Sequence, residues 1–252
     1  MTYVFSNRTI DEYLIGWTCK HHLPKTTYNL VGPLLHVHFF QPFKGTTNDF
    51  YFMNESTADQ VTQAIERSQQ NLSHWLTVFC KEEQVREMVH VYECLGYQFK
   101  SQETLMTKPL IFEKEVNHPA TLSNSIEATF IRESDSWAQA FSQGISVSLI
   151  PFLDVVHCHY ILKHDERQVA MGAWIMTPEH SAYIDDVETE ATYRRRGFAE
   201  TLMQRMICDV AAEGATESIL SASPMGKPLY LKLGYEEQAI ILVLTKHKKE
   251  PA

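Results

Sequence analysis

The sequence predicts an α/β (α+β) chain built from two related halves, and three observations carry that expectation. Strand-like and helix-like segments alternate through residues 127–245. A basic, glycine-containing turn, Arg194-Arg195-Arg196-Gly197-Phe198-Ala199, joins one strand-like run to a long amphipathic helix. A segment of the first half also recurs in the second at a constant offset of 138 residues, from 92 to 230. Val91-Tyr92-Glu93-Cys94-Leu95-Gly96-Tyr97 mirrors Leu229-Tyr230-Leu231-Lys232-Leu233-Gly234-Tyr235, and Leu105-Met106-Thr107-Lys108 mirrors Val243-Leu244-Thr245-Lys246.

The second half reads element by element. Glu127 to Arg132 forms a strand, and Ser134-Asp135-Ser136 caps a helix running to about Ser148. Strands follow at His157–Lys163, Val169–Met176 and Ala182–Val187, the first two joined by the polar tip His164-Asp165-Glu166-Arg167. The helix Phe198–Ala212 carries Phe198, Leu202, Met206 and Val210 every fourth residue, an apolar stripe at helical period. Ser218–Ser221 and Ala239–Thr245 complete the strands. In the first half, Trp75–Cys80 reads as a strand, and Ser56 and Thr57 cap a helix to about Gln70. Residues from Pro109 to 126, with Asn117, Pro119, Ser123 and Asn124, read as a linker.

Composition narrows the function. The net charge of −9 argues against a nucleic-acid binder and suits cationic small molecules. No apolar run approaches the ~18 residues that span a bilayer. The first eight residues lack the basic-then-apolar order of a signal peptide. Five cysteines without C-x-x-C spacing indicate neither a disulfide framework nor a zinc site, and fit a reducing cytoplasm.

The basic turn is suited to a pyrophosphate. Gly197 lets a ligand approach the backbone, and the amides of Arg195 to Ala199 are unpaired first-turn donors reinforced by the helix dipole. Where the first half should carry the same turn it has Met53-Asn54-Glu55-Ser56-Thr57-Ala58-Asp59, without glycine or arginine and with two carboxylates. That half is expected not to hold a pyrophosphate.

Arg194, Gly197 and Ala199 match the fixed positions of [RQ]-x-x-G-x-[GA], and Leu229 to Tyr235 matches L-Y-x-x-x-G-[FY]. On these two motifs, in this order, the chain resembles the GNAT N-acetyltransferase superfamily. The resemblance implies two GNAT-like domains in tandem, each a mixed, largely antiparallel sheet flanked by helices. The expected boundaries are 1–110 for a degenerate domain without the phosphate turn, 111–126 for a linker and 127–252 for the domain that binds acetyl-CoA. It implies transfer of an acetyl group from acetyl-CoA to an amine by direct attack, with no metal. The other readings are a non-catalytic acetyl-CoA-binding protein and a transferase for another acyl donor such as succinyl-CoA.

The resemblance also assigns roles. Val187, Glu188 and Thr189 offer backbone groups to the pantetheine arm. Arg194, Arg195, Arg196, Gly197, Phe198 and Ala199 hold the phosphates, and Ser223 stands where relatives often carry Asn. Gly226 stands where they often carry Ala, and Pro228 restricts the following helix to a late or bent start. Tyr230 is the expected donor to the departing thiolate. The base is a carboxylate on the strand, Asp185, or a water held by the backbone. Strand alternation puts Asp185 on the face of Tyr183, with Asp186 and Glu188 on the other. Ile150-Pro151-Phe152-Leu153 and Asp154 are expected along the acceptor pocket. His36 and His38, and His157 and His159, each share a strand face in metal-ligating spacing, but no third ligand is evident. The expected partner is a small-molecule amine, with no nucleic acid or membrane, for a cytoplasmic monomer or homodimer.

Overall fold

A computed structural model describes residues 7–21, 26–32, 34–43, 47–53, 57–68, 73–110, 124–133, 155–177 and 179–247. The helices are α1 (Arg8–Lys20), α2 (Ala58–Ser68), α3 (Val85–Cys94), α4 (Phe198–Ala212) and α5 (Lys227–Lys232). The first-half strands are β1 (Thr27–Val31), β2 (Leu34–Phe43), β3 (Thr47–Met53), β4 (His74–Cys80) and β5 (Gln98–Pro109). The second-half strands are β6 (Asn124–Glu133), β7 (Val155–His164), β8 (Arg167–Met176), β9 (Ser181–Thr189), β10 (Glu217–Ala222) and β11 (Glu236–Lys246). β6 starts inside the expected linker, and Ile126 already pairs with Leu162. The helix expected from Ser134 to Ser148, and Ile150 to Asp154, lie outside the described residues.

All eleven strands join one mixed sheet, in the order β1-β2-β3-β4-β11-β5-β10-β9-β8-β7-β6. Pairing is antiparallel except between β3 and β4 and between β9 and β10. The sequence repeat therefore folds into a shared sheet rather than two separate ones. The last strand of each repeat has crossed over: β11 lies against β4, and β5 lies against β10.

The exchange obeys a local two-fold relation. Thr107 pairs with Glu236 and Gln98 with Thr245, and each pair maps onto the other under the 138-residue offset. The side chains repeat it. Tyr97 Oη lies 3.0 Å from His74 Nε2 at the start of β4, and Tyr235 Oη lies 2.6 Å from Ser218 Oγ at the start of β10. Tyr92 meets Tyr97 edge to face at 5.6 Å, and Tyr230 meets Tyr235 at 5.8 Å.

One face of the sheet carries two helix-covered cores. Val61, Ile65 and Tyr92 of α2 and α3 pack on Leu76, Val78, Ile240 and Leu242. Phe198, Leu202, Met206 and Val210 of α4, the expected stripe, pack on Tyr160, Leu162, Trp174 and Ile184. The opposite face carries α1, whose Tyr13 and Leu14 join Phe50, Phe52, Leu105, Tyr183 and Ile241 in a core that spans both repeats. Alternation along β5 and β11 explains the division, since Leu105 and Ile241 turn to α1 while Met106 and Ile240 turn away. α1 lies very close to the sheet. A β-carbon placed on Gly16 would stand 2.3 Å from Tyr183 Cβ, so only glycine admits this approach.

Candidate functional site

The site begins where two parallel strands separate. β9 and β10 are paired from Ser181 and Glu217 to Ile184 and Leu220. Beyond that point β9 follows β8, with Thr189 opposite Ala170, while β10 follows β5, with Ala222 opposite Thr104. A bulge sharpens the divergence: Asp186 and Val187 together oppose Gly172, and Asp186 takes a positive φ of 54°. The Asp186 amide donates to its neighbour Asp185 Oδ1 at 2.8 Å.

The bulge corrects the simple alternation expected for this strand. Asp186 does not turn away from Asp185 toward α4. Its carboxylate meets Lys20 Nζ of α1 at 2.7 Å, while Asp185 Oδ2 lies 3.8 Å from His21 Nε2 just past the same helix. Val187, one residue later, packs into the core beneath α4. The extra residue shifts the parity of everything after it.

Next comes the basic turn. A short 3₁₀ segment, Ala191–Tyr193, leads into Arg194 to Arg196, and Gly197 precedes α4 with φ 85°. The first described bond of the helix runs from the Thr201 amide to the Gly197 carbonyl, at 2.9 Å. The amides of Phe198, Ala199 and Glu200 thus precede any intrahelical acceptor. The space a Gly197 side chain would enter is open, with no atom within 4 Å. The three arginines differ. Arg194 Nε donates to the Thr189 carbonyl at 3.0 Å and ties the turn to the end of β9, while Arg196 lies over the Tyr193 ring at 5.3 Å. Arg195 is exposed and also has a positive φ, 61°.

Three cavities meet here. A cleft of about 1030 Å³ is lined by Val187, Glu188, Thr189, Arg194 to Ala199 and Ser223, with Tyr230 at its inner end. It brings together all ten residues the sequence suggests for a coenzyme. A throat of about 190 Å³ shares Val187, Ser223 and Tyr230 with the cleft and adds Glu103, Asp185, Asp186 and Ser221. A pocket of about 250 Å³ shares those last four with the throat and extends under α1 toward Tyr13, Trp17, Phe50, Phe52, Trp75 and Tyr183. The path crosses the sheet where β9 and β10 part, from the α4 face to the α1 face.

Ser223 and Gly226 set the position of Tyr230. The Gly226 amide donates to Ser223 Oγ at 3.1 Å, and α5 starts at Lys227 with Pro228 in its first turn, where a missing amide costs least. A β-carbon on Gly226 would lie 3.1 Å from Tyr230 Cε2, so glycine leaves room for this ring. Tyr230 is buried, and burial first, then the carboxylates Asp185 and Glu103, pushes its phenol up to about 12. Burial likewise raises Tyr13 and Tyr183. All three are neutral hydrogen-bond donors at physiological pH.

Two contributors escape the sequence. Glu103 belongs to the first repeat, and strand exchange alone carries it to Asp185. α1 supplies Trp17 and His21. Its signal was legible, because Asn7, whose side chain caps the Thr9 amide, precedes apolar residues at Ile10, Tyr13, Leu14 and Trp17.

Elsewhere, Asp49 of β3 provides the third group beside His36 and His38. Both imidazoles donate to its Oδ1 at 2.8 Å, and among the described residues this trio alone has metal-ligating proximity. His157 and His159 lie edge to face at 5.3 Å.

Residues 177–238, which hold β9, the turn, α4, β10 and Tyr230, match the family model described as an acetyltransferase (GNAT) domain. This part of the chain is thus similar to a GNAT acetyltransferase domain. Solved structures extend the fold likeness to nearly the whole chain. A GCN5-related N-acetyltransferase from Kribbella flavida is 16% identical, with 99% of this chain and 98% of that one covered at a TM-score of 0.59. A tandem GNAT protein from the clavulanic acid biosynthesis pathway is 11% identical, covering 93% and 87% at 0.54. A GCN5-related N-acetyltransferase-like protein from Streptococcus suis is 15% identical, covering 92% and 93% at 0.51. No curated protein matches the chain in sequence.

Proposed function

We propose that the protein transfers an acetyl group from acetyl-CoA to the primary amine of a small acceptor, by direct attack in a ternary complex. The observation that carries this reading is the continuous path from the basic turn, past Tyr230, to the carboxylates of Glu103, Asp185 and Asp186 on the far face of the sheet. The pyrophosphate lies against the Arg195 to Ala199 amides and the pantetheine along Val187 to Thr189, bringing the thioester to the throat. An ammonium entering from the α1 side gives a proton to Asp185 or to a water, and its lone pair attacks the thioester carbonyl. Collapse of the tetrahedral adduct breaks the carbon–sulfur bond and expels the thiolate.

The phenol at about 12 is a weaker acid than a thiol near ~8.5. Tyr230 therefore stabilises the departing sulfur as a hydrogen-bond donor. The proton that ends on coenzyme A is the second one lost by the nitrogen. The five unpaired cysteines support a reducing compartment such as the cytoplasm.

Calorimetric titration with acetyl-CoA, wild type beside Gly197→Glu, tests the reading, followed by thiol release with amines. One site per chain, abolished by the variant, and turnover with an amine are expected. Binding without turnover by any amine would leave a coenzyme-binding module, and turnover of succinyl-CoA in preference would change the donor. Absence of binding would remove the reading.

A further inference from the structure

The pocket beneath α1 is polarised end to end. Its throat end carries three carboxylates, Glu103, Asp185 and Asp186; among the described residues, Lys20 Nζ lies 2.7 Å from Asp186 and His21 Nε2 3.8 Å from Asp185. Its far end is largely aromatic, with Thr77 and Ser101 beside the rings. Trp17 packs on Phe52 at 4.9 Å and on Phe50 at 5.9 Å, Phe50 meets Trp75 at 5.2 Å, and Tyr13 meets Tyr183 at 5.6 Å. Val243 and Ile241 close the floor. Such rings pack edge to face on an aryl body, while excess carboxylate rejects anions. The volume, about 250 Å³, lies below the ~300–1,000 Å³ of common small-molecule sites and suits a single-ring ligand.

Resting on the acyl-transfer reading, we infer that the acceptor is a small arylalkyl primary amine, bound as the ammonium with its nitrogen at Glu103 and Asp185 and its ring among Trp17, Phe50, Phe52 and Trp75. The two ends impose an order. The nitrogen faces the throat, where Tyr230 and the thioester meet, and the ring faces away from the coenzyme. A polyamine would bring a second charge into the aromatic end, where the rings offer no carboxylate. A hydroxyl in place of the amine would leave the acidic end without its counter-charge.

Trp17 and Trp75 line the pocket, so intrinsic fluorescence reads binding without turnover. The probe is 2-phenylethylamine, with 2-phenylethanol and spermidine as comparators, each titrated into the full chain with and without acetyl-CoA. Saturable quenching by 2-phenylethylamine is expected, with both comparators weaker by about 10-fold or more, the loss of a single favourable contact of this kind. Glu103→Gln and Trp17→Leu should each weaken it by about 10-fold as well, with acetyl-CoA affinity unchanged in calorimetry. Gly197→Glu should keep the quenching. Should acetyl-CoA fail to bind while the amine still quenches, acyl transfer fails and the arylalkyl-ammonium site stands. Equal response to 2-phenylethanol, tighter binding of spermidine, or no response in a protein that binds acetyl-CoA would each overturn the inference.

Discussion

Glu103 and Ile241 occupy the same position in the two repeats, and they are paired with each other across β5 and β11. The local two-fold axis passes between them. One residue of this symmetric pair is an acid lining the throat; its counterpart is a branched apolar side chain on the pocket floor. The repeat supplies the frame, and the difference at its axis makes one side a candidate site.

Cutting the chain at residue 110 should destroy both halves. Residues 1–110 alone leave β4 and β5 without β11, exposing Leu76, Val78 and Leu105, which are buried in the whole chain. Circular dichroism and sedimentation of that fragment should report an unfolded or aggregated chain. A soluble monomer with cooperative thermal unfolding would show that the exchanged strand is dispensable.

Tyr230→Phe should lower kcat by about 100-fold, the range for one transition-state hydrogen-bond donor, and leave acetyl-CoA affinity intact. The phenol acts in its protonated form, so its contribution persists below about 12 and fades as pH rises through that value. Any alkaline limb below pH ~10 should survive in Tyr230→Phe. Its disappearance in the variant would mean that Tyr230 ionises in the working range.

Gly16→Ala should cost about 1–3 kcal/mol by overpacking α1 against Tyr183. Urea unfolding of the variant gives the value directly. Unchanged stability would mean that α1 can lift from the sheet.

Glu12, buried in α1, accepts from Thr177 Oγ1, and burial raises its carboxyl above 4.5. A raised folded value means that its contribution to stability is present below 4.5 and is lost as pH climbs through the folded value. In Glu12→Gln this loss is gone. Wild-type Tm minus variant Tm should therefore fall from pH 4 to pH 8; a flat difference would show that Glu12 titrates as it does when unfolded.

Much of the second half was legible in the sequence because its signals are local. The apolar stripe of α4, the turn and the end of α5 each depend on residues close in the chain, and each stands where its pattern predicts. The repeat was legible too, but not its consequence. That β5 and β11 trade places rests on pairings between residues more than a hundred positions apart, and both arrangements satisfy the same alternation. Glu103 was hidden for that reason. Asp186 was hidden for another: one bulged residue reverses strand parity without altering composition.

The order of synthesis gives the crossed strands a different significance. β11 follows every other described strand in the chain, yet it occupies the middle of the sheet. At ~5–20 residues per second, the interval between the emergence of β5 and that of β11 is on the order of 10 s. Throughout it, the facing edges of β4 and β5 have no strand between them and are open to pairing with another nascent chain. Translation speed and chaperone holding, rather than final stability, would then govern how much of this protein reaches its folded form.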